Sequence, residues 1–165
     1  MKPHPIASLR RALRLLPLLA APACSTFGLD PAGDKRDDLR QSIARWEQTE
    51  IRSYRYTYAE GCAPCDGLSR LVVEVHQGAV TTARPVGEAE PLPVTDLAGV
   101  PTVPDLFAVI ERAIDERADA LDVAYHPTLG YPTRIAIDRE FGREGDELAY
   151  FAEDLRRVAP PPGGG

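Results

Sequence analysis

Apolar residues recur along this chain with two different periods, and the order in which the periods alternate limits the fold more than any other feature. Leu39, Ile43 and Trp46 lie four and three residues apart, which puts them on one face of a helix. Asp34 is placed to cap that helix, with Asp37 and Asp38 in its electropositive first turn. The period then becomes two. Tyr54, Tyr56 and Tyr58 alternate with Ser53, Arg55 and Thr57, giving a strand with one aromatic face. Leu71, Val73 and Val75 form a second strand, and Gln77-Gly78 turns the chain tightly into a third over residues 79–84.

The cycle repeats after a Pro/Gly-rich loop over residues 88–100. Thr102 and Asp105 have the spacing of a capping box, and Leu106, Phe107, Ile110, Ala113 and Ile114 make a broad apolar stripe. Three more strands follow, through Leu121, Val123 and Tyr125, through Thr133, Ile135 and Ile137, and over residues 148–153. The two halves share an element order, although few of their residues correspond. Six half-apolar strands and two amphipathic helices can all bury their faces if the helices pack on one side of a single sheet. The expected class is α+β: two helix-plus-three-strand units, an antiparallel six-stranded sheet and helices on one face.

The ends of the chain have a different composition. Residues 1–14 carry Lys2, Arg10, Arg11 and Arg14 and no acid, and a short apolar run then closes on Ala21-Pro22-Ala23 before Cys24. A basic start, an apolar middle and a small-residue exit is the layout of an export signal. The run is well short of the ~20 residues that a membrane-spanning helix needs. Residues 1–23 are therefore expected to be a signal peptide. Ala21-Pro22-Ala23 suits plain secretion. Ala23-Cys24 also resembles a bacterial lipoprotein signal, in which the cysteine is acylated and becomes the N-terminus, although Ala21 stands where such signals usually have leucine. Cysteine parity bears on the choice. Of three cysteines, Cys62 and Cys65 make a natural pair and Cys24 is left over. Acylation gives it a use, so the expected location is the outer side of the cytoplasmic membrane or the periplasm, with the membrane held through Cys24 and secretion as the alternative.

Residues 24–34 then read as a flexible tether, 35–158 as one α+β domain and 159–165 as a disordered Pro/Gly tail. Residues 1–23 hold four of the 19 basic residues and none of the 25 acidic ones, so the rest of the chain carries about −10. That charge disfavours nucleic acid and anionic surfaces as partners.

Trp46, Tyr54-x-Tyr56, Cys62-x-x-Cys65, Gly78-x-Val80, Leu106-Phe107-x-x-Ile110 and Tyr125-His126-Pro127-x-x-Gly130-Tyr131-Pro132-x-x-Ile135-x-Ile137-Asp138 form a series. It resembles a family of small bacterial exported proteins and lipoproteins whose domain has no known function. The resemblance runs from about Leu39 to Tyr150. It implies export and the domain boundaries, and it adds no chemistry.

Cys62-Ala63-Pro64-Cys65 is the constellation with the most chemical potential. In an oxidising compartment it reads as a disulfide closing a loop between two strands. Its competing reading is a thiol–disulfide exchange site. That chemistry needs a stabilised thiolate, and Glu60 and Asp66 flank the pair with negative charge. His76 and His126 do not stand at ligand spacing, so no metal and no cofactor is expected. His126 and Tyr131 bound a segment stiffened by Pro127 and Pro132, and both are candidate recognition residues; a tyrosine folded back onto the sheet is the competing reading. Arg134 and Asp138 read as a same-face charge pair on one strand. The functional expectation is a non-enzymatic binding or interaction module of the envelope, with an unknown protein or ligand as partner. The alternatives are a thiol–disulfide oxidoreductase using Cys62 and Cys65, and a hydrolase assembled only in three dimensions.

Overall fold

A computed structural model of the chain describes residues 31–61, 69–143 and 146–159. The expected signal peptide over residues 1–23, Cys24, Cys62, Cys65 and residues 160–165 of the expected tail lie outside these residues. Helix α1 (Pro31–Gln48) leads into strands β1 (Tyr54–Gly61), β2 (Ser69–His76) and β3 (Ala79–Pro85). A short 3-10 helix (Val94–Gly99) and helix α2 (Val103–Asp115) follow, then β4 (Ala120–Tyr125), β5 (Pro132–Asp138) and β6 (Leu148–Arg157). The six strands form one sheet in the order β3-β2-β1-β6-β5-β4, antiparallel throughout. The fold is α+β.

Two boundaries differ from the sequence reading. Helix α1 begins at Pro31, inside the stretch assigned to the tether. A proline fits the first helical turn, where its missing N–H has no partner to lose. Strand β6 runs on to Arg157 through a bulge at Asp154, whose φ is +54°. The sheet order also defines the relation between the halves. Two halves related by a two-fold axis would place equivalent strands side by side at the centre, β1 with β4 or β3 with β6. The centre instead pairs β1 with β6, so the repeat is one of element order alone.

One face of the sheet carries the core. Tyr54, Tyr56 and Tyr58 on β1 stand opposite Val75, Val73 and Leu71 on β2, and Ile135 and Ile137 on β5 face the same way. Trp46 reaches down from α1 and contacts Tyr54 edge-on at 5.5 Å and Tyr131 at 6.3 Å. Tyr54–Tyr56 and Tyr56–Tyr58 continue the series at 5.8 and 6.4 Å. Edge-on aromatic contacts of this kind add about 0.5–1.5 kcal/mol each beyond the area they bury.

The tyrosine hydroxyls then fix where α2 starts. Tyr54 Oη accepts from the Val103 N–H at 2.8 Å, and Tyr56 Oη donates to the Pro101 carbonyl. Burial pushes the Tyr54 hydroxyl up to about 12, despite the hydrogen bond from Val103 that works the other way. Thr102 and Asp105 close the helix end with a capping box: the Thr102 N–H donates to Asp105 Oδ2 at 2.8 Å, and Asp105 N–H donates to Thr102 Oγ1 at 3.4 Å.

The β4–β5 hairpin docks on α1 through Gly130. Its φ is +81°, and a Cβ there would sit 2.4 Å from the Ser42 carbonyl oxygen and 2.8 Å from Arg45 Cβ. Ser42 is itself fully buried, and Arg45 donates across the contact to the Pro127 carbonyl at 3.3 Å. Gly130→Ala is expected to destabilise the fold by on the order of 2–4 kcal/mol, from the left-handed backbone and the clash together. Gly142→Ala is the control, because its φ is +86° but nothing lies within 4 Å of the added atom. Its expected cost is only about 1 kcal/mol. Urea unfolding of the two variants checks the difference; equal midpoints would refute the docking role of Gly130.

Candidate functional site: a groove between the helices

The same rings that hold α1 to the sheet floor an open groove beside it. About 800 Å³ of space lies between the C-terminal half of α1, the tip of the β2–β3 hairpin and the first turns of α2. Ile43, Trp46, Ile51, Tyr54 and Phe107 make an apolar floor, and Glu47, Glu50 and Glu111 stand on its rim with Arg52. All four rim residues are exposed. None of the three glutamates has a hydrogen bond or ion pair to another described side chain. This size and this apolar lining fall in the range of ligand and peptide sites.

The end of α1 shapes one wall. Thr49 N donates to the Trp46 carbonyl at 3.0 Å, Glu50 N to the Glu47 carbonyl at 3.1 Å, and Ile51 N to Thr49 Oγ1 at 3.2 Å. Glu50 takes φ +53°, the left-handed position that glycine usually occupies after a helix. A side chain is therefore kept at a place where glycine is conformationally easier, and it is a carboxylate on the groove rim. A second hollow of about 870 Å³ lies by the first turn of α1 and the end of α2. Two of its three cations are engaged: Lys35 donates to the Leu121 carbonyl, and Arg36 pairs with Asp115 at 2.7 Å; Arg117 is the third. The groove is the stronger candidate.

The sequence-derived candidates lie elsewhere. Cys24, Cys62 and Cys65 fall outside the described residues, although the two strands that the Cys-x-x-Cys segment joins are paired up to Glu60↔Ser69. Tyr131 does not offer its ring as a recognition surface. It is 3% exposed, against Trp46 on one side and stacked on His126 at 5.0 Å on the other. The hairpin is held from within: His126 N donates to the Tyr131 carbonyl at 2.8 Å, and His126 Nδ1 accepts from Leu129 N at 3.0 Å. Buried apolar surface under α1 captures the tyrosine, so the rigid segment serves packing. His76 ends β2 and His126 follows β4, with β1, β6 and β5 between those strands. Arg134 pairs across the β4–β5 ladder with Asp122 and not along its own strand with Asp138, since diagonal cross-strand neighbours lie closer to hand. The groove itself was missed because its lining comes from four separate elements. The available signal was the acidic pair Glu47 and Glu50 beside the face that carries Trp46.

A profile of a family of unknown function, DUF6174, matches residues 38–157. The chain belongs to that family. The match begins inside α1 and ends on the last residue of β6, so the DUF6174 domain comprises the whole sheet, α2 and most of α1. Comparison with curated proteins and with solved structures finds no match.

One further feature of this DUF6174 domain is electrostatic. The Asp138 carboxyl, at the end of β5, is held above its ordinary range by desolvation first and then by the charges of Asp146, Glu147 and Asp119; a hydrogen bond from the Glu140 backbone opposes them. Asp138 Oδ1 and Asp146 Oδ1 are buried atoms without a hydrogen-bond partner among the described residues. A carboxyl raised in the folded state binds its proton more tightly there than in the unfolded chain. Its contribution is therefore present below the ordinary value of about 3.9 and is lost as pH rises through the folded-state value. Asp138→Asn is expected to raise the unfolding midpoint at pH 7 and to leave it nearly unchanged below about pH 4. Denaturant unfolding across that range measures this, and a variant less stable than the parent at neutral pH would contradict it.

Proposed function

We propose that this chain is a lipid-anchored module of the bacterial envelope, held to a membrane through acylated Cys24, that binds a cationic apolar segment of a partner protein in the α1–α2 groove without doing chemistry on it. The observation that carries the binding part is the groove itself: an apolar floor of Trp46, Phe107, Ile51 and Ile43 beneath three unpaired glutamates. Apolar contact supplies affinity for such a segment, and the carboxylate rim selects its charge and steers its approach. An amphipathic helix laying its apolar face into a groove between helices is a common mode of this kind.

The leader supports the location: a basic start, a short apolar run and a lone cysteine after Ala23. An anchor at Cys24 attaches just before α1. That helix has 18 residues and a length of about 27 Å, and the groove lies at its far end. The groove therefore stands about one helix length from the start of α1.

Trp46 is the single tryptophan of the chain and lines the groove, so its fluorescence reports occupancy. A leucine–lysine amphipathic peptide is expected to shift the Trp46 emission saturably, whereas a leucine–glutamate peptide of the same length leaves it unchanged. Glu47→Lys with Glu111→Lys should weaken the lysine peptide by about tenfold or more. Equal binding of both peptides, or no effect of the charge reversals, would remove the groove reading. The anchor has its own test, the mass of the mature N-terminus: an acylated Cys24 is expected, and an unmodified one leaves only secretion.

A further inference from the structure

On the sheet face opposite the helices, we infer an oxyanion site built from Arg55, Arg84 and Arg156, for a ligand of the phosphate type. It is separate from the groove and does not depend on it.

The three arginines line one hollow of about 320 Å³, together with Thr57, Val72 and Asp154. Arg55 and Arg156 stand directly opposite each other across the β1–β6 ladder. Like charges in that position repel and destabilise a sheet. A regular ladder would avoid the pairing. From Thr57↔Glu153 and Tyr58↔Ala152, an unbroken register would put Leu155 opposite Arg55. The bulge between Arg55 and Thr57 shifts the register by one residue and brings Arg156 there instead, while Leu155 packs against the core. Asp154 holds the bulge at φ +54°, a conformation that a residue with a side chain enters at a cost. A strained residue thus brings two like charges face to face. Glu74 and Asp154 offset that repulsion in part, and a bound anion offsets the remainder.

Their neighbours strengthen the contrast. On the same face Arg70 pairs with Glu153 and Arg134 with Asp122, so arginines here can find carboxylates. Arg84 donates to the Glu88 carbonyl and keeps its other N–H groups. The guanidiniums of Arg55 and Arg156 have no hydrogen bond or ion pair to a described residue, in a chain whose acidic residues outnumber its basic ones by 25 to 19. Two carboxylates face the hollow: Asp154 in its lining, and Glu74, which stands opposite Arg55 on β2. Three guanidiniums against two carboxylates leave one positive charge and a fork geometry that suits a tetrahedral oxyanion bound through two oxygens. The hollow is small, so the ligand is a phosphate or a short phosphorylated group rather than a large cofactor.

The test uses the mature chain carrying Cys24→Ser, so that no acyl group drives membrane association. Sodium pyrophosphate is titrated against sodium chloride at equal ionic strength, with heat of binding and unfolding midpoint as readouts. Saturable binding and a raised midpoint are expected. Arg156→Gln and Arg55→Gln should each weaken binding by at least tenfold, and each should raise the ligand-free midpoint by relieving the repulsion. That gain separates a site built for an anion from a structural role, which would lower the midpoint. Sedimentation with phosphatidylglycerol vesicles, against phosphatidylcholine vesicles, separates the sources. Arg156-dependent binding to the anionic vesicles alone assigns a lipid headgroup, and Arg156-dependent binding of pyrophosphate alone assigns a free phosphate. The inference fails if neither probe binds beyond its control, or if both arginine variants bind as the parent does.

Discussion

Trp46 is the point at which the two halves of this fold are joined. Its indole contacts Tyr54 of the first three-stranded unit and Tyr131 in the β4–β5 hairpin of the second, so one side chain on α1 spans the central β1–β6 seam from above. A sheet assembled from two meanders has its weakest specification at that seam, because no short turn connects the strands that meet there. Trp46 adds a tertiary contact across that seam from a helix outside both meanders. Phe or Trp to Ala changes in such cores remove about 3–5 kcal/mol. Loss of the ring that bridges the seam would act on both units at once.

From Trp46 the aromatic series runs down β1 and ends in hydroxyls that meet the beginning of α2. Each tyrosine gives the core a large apolar body with a polar tip: Tyr54 and Tyr56 partner the helix start and Tyr58 donates to Glu60, which is why tyrosine and not phenylalanine suits these alternate positions. The second helix is positioned from two directions, by its own capping box and by Tyr54 and Tyr56 beneath it. One wall of the groove is thereby fixed by the core, and the other wall is the end of α1 that carries Trp46. The groove inherits its rigidity from the same rings that stabilise the sheet.

The parts of this architecture that are local in sequence were legible in it. The alternation of Tyr54, Tyr56 and Tyr58, the apolar stripe of α2, the Thr102/Asp105 cap and the Gln77-Gly78 turn all express short-range rules, and together they define an antiparallel α+β fold. What was not legible depends on partners far along the chain. The fate of Tyr131 was open because a stiff Pro-flanked hairpin can present a ring or bury it; Ser42 and Gly130, small at the two contact points, bring the hairpin close enough to α1 to bury it. Element order suggested a duplication, yet strand order is set by the seam and is invisible to periodicity. The groove and the arginine face were hidden for a related reason. An overall acidic balance says nothing about where the two signs gather, and here Glu47, Glu50 and Glu111 stand on the rim of the groove while Arg55, Arg84 and Arg156 line a hollow on the other face of the sheet.

That separation coincides with backbone strain. Among the described residues, four other than glycine take positive φ; Glu50 is on the groove rim and Asp154 lines the arginine hollow. The others follow ordinary rules, Gln77 in a tight hairpin turn and Arg117 just after α2. A helix stop or a bulge alone is served more easily by glycine, at a saving of about 1–2 kcal/mol of left-handed strain. An acidic side chain at each of these positions keeps a charge there: a third carboxylate on the groove rim at Glu50, and at Asp154 a counter-charge that keeps three guanidiniums on one sheet face from forcing the ladder apart. Strain of this size is small against the aromatic core, which is what allows the fold to hold it at its surface.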